Sequence, residues 1–261
     1  MTENRGEVRY NVKDRIGIIT LSRPDKRNSL TQQMFDQLSK AVDSVREDEE
    51  VRVVVIRGEE GSGFCAGDDL AELVLIQSAG IRNFLSKAQC IFTGLESLPV
   101  PVIAAVNGHV LGGGLELALS CDIILAAAET QLGLPETNLG IIPGLGGTIR
   151  LPRRVGLGKA REMIFSGRLL GATEALGIGL VEAVFPQELF FRKVMEFAGF
   201  LAEKSPVSLA LAKSTINRGM DASLEAGLAL EREAFAYCFS LPDAKEGIHA
   251  FLEKRKPVFG K

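Results

Sequence analysis

The chain has 261 residues, 46% hydrophobic and 24% charged, enough for one large domain or one domain with a smaller appendage. Its 30 Lys and Arg against 33 Asp and Glu give a formal net charge of −3, which excludes a global basic field recruiting nucleic acid; basic residues cluster only locally, at residues 23–27 and 254–256. No apolar run reaches the ~18 residues a membrane span needs, and residues 1–9 are polar and charged, so neither a membrane helix nor a secretory signal is expected.

Residues 8–12 and 16–21 read as two strands around a polar turn at 13–15, a hairpin. A charged loop follows at 22–28, broken by Pro24. Thr31 caps a predicted amphipathic helix over 32–47, with Met34, Leu38, Ala41, Val42 and Val45 on one face. The β-branched run 51–57 reads as a buried strand, 58–67 as a glycine-rich loop, and 69–98 as mobile or helical. Strands are expected at 101–106, 121–126 and 130–133, with a short helix over 113–120. The alternation of strand, glycine-rich turn and helix suggests stacked ββα-like turns. Beyond Gly156 the pattern turns mainly helical, at 159–165, 172–176, 186–204, 207–218, 221–240 and 243–256, and we divide the chain at 1–195 and 196–261.

Four cysteines, Cys65, Cys90, Cys121 and Cys238, form no CxxC pair and lie in or near apolar runs. Reduced, mostly buried thiols are expected, in a reducing compartment. Two histidines, His109 and His249, are too few for a histidine-rich metal site, so no metal is assigned.

The chemistry concentrates in two glycine-rich stretches. Gly112-Gly113-Gly114 weakens local structure by about 0.5–1 kcal/mol per residue relative to alanine, so a ligand approaching the backbone or tight helix packing must compensate. The spacing is not a dinucleotide fingerprint. Glu116 interrupts the apolar run Leu115-Glu116-Leu117-Ala118-Leu119, and a buried carboxylate must be paired, hydrogen-bonded or protonated. Glu136 follows Pro135 in a second apolar setting. Two glutamates converging on one dry cleft can split acid and base roles or share a proton. In Phe64-Cys65-Ala66-Gly67-Asp68-Asp69-Leu70, small residues precede an acidic helix start. Local sequence leaves two readings open there: an amide for an oxyanion at Ala66, or an ordinary loop capped by Asp68 or Asp69.

Taken together, these motifs resemble the crotonase (enoyl-CoA hydratase/isomerase) superfamily. The resemblance also covers Arg23-Pro24-Asp25-Lys26-Arg27-Asn28-Ser29-Leu30, the block 101–151 and Phe251-Leu252-Glu253-Lys254-Arg255-Lys256-Pro257, nearly the whole chain. It implies an α/β fold, a crotonase (ClpP-like) spiral of repeated ββα units with a C-terminal helical trimerisation region. It further implies an acyl-CoA thioester substrate, and assembly as a trimer or dimer of trimers. By motif position the resemblance assigns the oxyanion hole to the amides of Ala66 and Gly113. It assigns catalysis to Glu116 and Glu136, acting in syn hydration of a trans-2-enoyl-CoA to a 3-hydroxyacyl-CoA. Coenzyme A is part of the substrate, and no separate cofactor is implied.

Substrate contacts carried over are Lys26, Arg27, Ala66, Gly67, Asp68, Asp69, Gly144, Phe251 and Lys254, the last two reaching CoA from a neighbouring subunit. Lys26 and Arg27 suit phosphate through charge-assisted hydrogen bonds, and capping suits Asp69 better than catalysis. Residues 111–119 and 141–144 resemble a methylglutaconyl-CoA hydratase-like subgroup, which includes an AU-rich RNA binder. The negative charge and the few lysines on 32–47 speak against nucleic acid here. The alternatives are a Δ3-Δ2 enoyl-CoA isomerase using Glu136 alone, and an RNA-binding protein with a vestigial site. A cytoplasmic location is expected.

Overall fold

The computed structural model describes residues 5–260; residues 1–4 of the polar opening lie outside the described residues. The chain starts with a hairpin, β1 (Glu7–Lys13) and β2 (Ile16–Ser22), then α1 (Gln32–Glu47) and β3 (Val53–Gly58). Two helices, α2 (Leu70–Leu73) and α3 (Ile81–Glu96), lead to β4 (Val102–Val106) and β5 (His109–Leu111). α4 (Gly113–Leu119), β6 (Ile123–Ala127) and β7 (Gln131–Gly133) follow. Next come a 3-10 turn at Pro135–Leu139, α5 (Gly147–Val155), α6 (Leu157–Ser166), β8 (Leu170–Gly171), α7 (Ala172–Gly177) and β9 (Ala183–Phe185). The chain closes with α8 (Phe190–Ala202), α9 (Pro206–Met220), α10 (Leu224–Ser240) and α11 (Pro242–Leu252).

β3, β4 and β6 are continuous apolar runs because both of their faces are covered, as parallel strands require. They lie in a six-stranded sheet of order β1-β2-β3-β4-β6-β9, parallel except for the β1–β2 hairpin. Alternate residues split between two cores. Val54, Ile56, Val102, Ala104, Ile124 and Ala126 face α1, α3 and α4. Val53, Val55, Ile103, Ala105, Leu125 and Ala127 face α8 through Phe190, Val194 and Ala198, a four-residue helical repeat. A smaller sheet, β5-β7-β8, stands beside the first and is extended by a parallel bridge from Cys65 to Val110. Each turn of chain gives one strand to the large sheet and one to the small sheet: β4 with β5, then β6 with β7. That is the expected ββα spiral.

α1 keeps its predicted limits, with the Thr31 hydroxyl accepting from the Met34 amide at 3.2 Å. The segment 69–98 resolves into α2 and α3. β5, β8 and β9 are only two or three residues long and escape a period-two reading. α5 was also missed, since Pro152 stands inside it. The division at 195–196 falls within α8, whose buried face belongs to the sheet core. Of the cysteines, Cys65 and Cys121 are buried but Cys90 is exposed and Cys238 half-buried, and all four thiols are free. The expectation of mostly buried thiols fails for Cys90, which lies on the exposed side of α3.

α9 and α10 pair with each other and bury no residue fully. Polar hooks tie α9 to the body: Lys213 reaches Asp122 at 2.8 Å and the carbonyls of Leu95 and Val100. Ile216, Met220, Leu224, Leu228, Phe235, Tyr237 and Phe239 are left exposed on these helices. Among the described residues, no helix is long and apolar enough to cross a membrane.

Candidate active site

The site forms where α4 begins. Gly112 turns there with φ +49°, a region that disfavours side chains. Gly114 then allows α4 to press on the strand at Cys65. A Cβ at Gly114 would lie 2.2 Å from the Cys65 carbonyl oxygen, closer than any atom tolerates. Close approach of two backbones is therefore one reason for the glycine triplet.

One turn into α4, Glu116 is 1% exposed. Its Oε1 accepts from the amides of Leu145 and Gly147, each at 2.7 Å. Burial pushes its pKa up, while those amides and the Arg150 guanidinium pull the other way. The Arg150 charge is matched elsewhere: it is bidentate to Glu96 at 2.7 Å and donates to the Leu145 carbonyl at 2.9 Å.

Glu136 enters from the 3-10 turn. Its Oε1 stands 3.3 Å from where a Cβ of Gly112 would be, and its Oε2 is buried without a hydrogen-bond partner. Burial pushes its pKa to about 7, with Glu116 and Asp68 adding repulsion. Asp68 is the third carboxyl. Its oxygens lie 2.7 and 3.0 Å from the Cβ position of Gly113, and Oδ1 is buried without a partner. Burial, then the charge of Glu116, raises it to about 7.

The two stretches expected to supply amides meet here, with one change. The Ala66 N–H is engaged by the Arg27 carbonyl at 3.0 Å, so it is not available to a ligand. This corrects the assignment of Ala66 to the oxyanion hole. The bridge between Leu30 and Asp68 runs through its neighbours: Leu30 N–H donates to Gly67 and Asp69 N–H to Leu30, both at 2.8 Å. In such a parallel bridge the N–H of Asp68 itself points the other way, to the Gly113 side. Neither the Asp68 nor the Gly113 N–H has an acceptor among the described residues. Sequence reading names Asp68 as a substrate contact but gives the oxyanion amide to Ala66, because donor direction is set by pairing with residue 30, which spacing does not reveal.

Residues 23–30 and 66–69 are locked together. Besides the bonds above, Arg23 is 2% exposed and forms an ion pair with Asp69, which also caps α2 through the amides of Ala71 and Glu72. Lys26 and Arg27 are exposed on the outer side of that loop, and Arg27 adopts a left-handed φ of +51°. Gly67 is buried in the turn, with its carbonyl on Leu30. Gly144 sits under α3: its carbonyl accepts from Gln89 at 2.7 Å, and a Cβ there would meet Leu85 at 2.9 Å. Phe251, 82% exposed, and Lys254 lie at the end of α11, which packs on α10, so the single chain does not bring them to the cleft. Among the described residues, no three His, Cys, Asp or Glu are placed to hold a metal ion.

The chain is similar to known proteins over nearly its whole length. Residues 11–261 match the family model described as enoyl-CoA hydratase/isomerase. The chain is 43% identical to the mitochondrial methylglutaconyl-CoA hydratase of Rattus norvegicus, over 99% of the chain and 84% of the relative. It is 40% identical to the short-chain-enoyl-CoA hydratase of Clostridium acetobutylicum, over 93% of each. Among solved structures, the enoyl-CoA hydratase of Bacillus anthracis superposes with a TM-score of 0.92 at 40% identity, over 98% of each chain.

Proposed function

The chain belongs to the enoyl-CoA hydratase/isomerase family, and we propose that it adds water syn across the double bond of a trans-2-enoyl-CoA, in fatty-acid or branched-chain acyl-CoA metabolism. The observation that carries this reading is a buried glutamate, Glu116, and a half-buried one, Glu136, with its Oε2 closed to solvent, beside a turn with two unengaged amides.

In this reading the thioester oxygen accepts from the N–H groups of Asp68 and Gly113. Negative charge grows on that oxygen as C3 is attacked, and losing one such donor typically costs ~10²–10³ in rate. The two glutamates differ in environment, which suits a division of labour. Glu116 has Oε1 committed to two amides, and these favour its ionised form. Its Oε2 orients water and takes its proton as the oxygen bonds to C3. Glu136, held near neutrality by burial and without a partner on Oε2, delivers a proton to C2. Water is thereby added as a hydroxyl at C3 and a hydrogen at C2. Proton exchange between the glutamates through solvent resets the site.

Lys26 and Arg27, exposed beside the locked loop, would meet the CoA phosphates, the substrate being the only source of coenzyme A. The open apolar face of α9 and α10 supports self-assembly as a trimer or pair of trimers, which would carry Phe251 and Lys254 to a neighbour's nucleotide site. Four free thiols suit the cytoplasm. The test is turnover of crotonyl-CoA by the purified protein, Glu116→Gln and Glu136→Gln. The native protein is expected to consume the enoyl-thioester absorbance and each variant to lose most of that activity while still binding CoA esters. Conversion of a 3-enoyl-CoA with crotonyl-CoA left untouched would replace this reading with isomerisation.

A further inference from the structure

Hydration by Glu116 and Glu136 leaves the Asp68 carboxyl unexplained. It is not needed for the Asp68 amide to point at the thioester, since any residue but proline supplies an N–H. Yet it sits inside the site. Asp68 rests on the bare Cα of Gly113 and Glu136 on that of Gly112, so two carboxyls occupy consecutive seats on one turn. Each has an oxygen closed to solvent with no hydrogen-bond partner. The third, Glu116, is satisfied only by neutral amides.

Among the described residues no cation forms an ion pair with this cluster, and the Arg150 charge acts on Glu116 only from a distance. Among the ion pairs of the described residues, none reaches Asp68, Glu116 or Glu136; the nearby guanidinium of Arg23 is joined to Asp69 and that of Arg150 to Glu96. Nor do the carboxyls converge as ligands of an ion. The neighbouring wall is apolar, with Leu85 of α3 lying on Gly144, close to the amides that hold Glu116.

We propose that Asp68 is a specificity-determining residue that makes the site select uncharged enoyl chains over chains ending in a carboxylate. The inference rests on the hydratase reading above and names its substrate class. A carboxylate on the acyl chain would enter a cleft already holding three acids, none of them in an ion pair among the described residues. At about 6 Å and an effective dielectric near 20, one such repulsion corresponds to roughly a hundredfold in binding. A crotonyl-like chain meets no such penalty. The wall at Leu85 offers it apolar contact instead. High identity to a methylglutaconyl-CoA hydratase does not by itself carry that relative's substrate to this chain, because the charge at position 68 bears on it directly.

The test compares kcat/KM for crotonyl-CoA and glutaconyl-CoA in the native protein, Asp68→Asn and Asp68→Ser. It also compares inhibition constants for butyryl-CoA and glutaryl-CoA, which need no turnover. At about pH 8.5, where Asp68 is ionised, the native protein is expected to favour the uncharged member of each pair by about a hundredfold. In the variants that preference should shrink at least tenfold. A role in positioning alone would slow both substrates equally and leave the ratio unchanged. Native preference for the carboxylated ester, or a ratio that moves less than tenfold in both variants, overturns the proposal. If the native protein hydrates neither ester, the hydratase reading fails, and the inhibition ratio still decides the role of Asp68.

Discussion

Removing the Glu116 side chain separates its two tasks. Oε1 satisfies the amides of Leu145 and Gly147 in a buried setting, each at 2.7 Å. In Glu116→Ala both N–H groups lose their acceptor, at about 1–3 kcal/mol each, so the fold should lose about 2–6 kcal/mol. For a chain of this size that lowers Tm by roughly 5–20 °C. Glu116→Gln keeps a carbonyl oxygen where Oε1 stands and removes a buried charge. Its stability should stay within about 1 kcal/mol of the native protein. Its hydration rate should nevertheless fall by about 10²–10⁴, the usual worth of a positioned acid or base. Thermal unfolding followed by circular dichroism reads the first effect, and crotonyl-CoA turnover reads the second. Equal loss of stability in the Gln and Ala variants would refute the two-amide argument. Native turnover in Glu116→Gln would refute its role as base.

Glu136 holds its proton below about pH 7, so the hydration rate should decline as pH climbs through that value; a pH–rate profile flat from 6 to 9 would contradict this. Asp68, raised from 3.8 to about 7, binds its proton more tightly folded than unfolded, so its contribution to stability is intact below about pH 4 and is lost as pH rises to about 7. Urea unfolding should therefore find Asp68→Asn more stable than the native protein at pH 8, by up to about 4 kcal/mol, with the gap closing toward pH 4. Gly114→Ala would drive a Cβ to 2.2 Å from the Cys65 carbonyl, and should cost at least about 3 kcal/mol and most activity, read by Tm and turnover. Arg23→Met removes the cation from a buried pair with Asp69 and should cost about 3–5 kcal/mol and raise KM for CoA esters, since it ties the 23–30 loop to the oxyanion turn. Light scattering should give three or six times the 28.1 kDa chain mass, and charges placed at Phe235 and Phe239 should reduce it.

Much of the fold was legible because its signals are local. The face made by Met34, Leu38, Ala41, Val42 and Val45 and the Thr31 cap define α1 without tertiary help. The runs at β3 and β4 read as buried strands because each strand meets a core on both sides. β5 and β9 were not legible, since a three-residue strand exists only by pairing with a distant partner. The site follows the same division. Glu116 stood out because its neighbours are apolar, and it is buried as that pattern requires. Which amide of the 64–70 stretch is free depends on Arg27 and Leu30 as partners, so Ala66 was chosen where Asp68 has the open N–H. Local sequence offers Asp68 or Asp69 as a loop cap, and the resemblance makes Asp68 a substrate contact, because nothing local shows that Gly113 would seat the Asp68 carboxyl. Its neighbour Asp69 does the capping.

The most direct test of the central claim is to incubate the native protein with crotonyl-CoA in water enriched in oxygen-18 and analyse the thioester product by mass spectrometry. A two-glutamate hydratase gives a 3-hydroxyacyl-CoA carrying the heavy oxygen at C3 and a new hydrogen at C2. A product that gains no oxygen, with the double bond merely moved or the substrate returned unchanged, would contradict it.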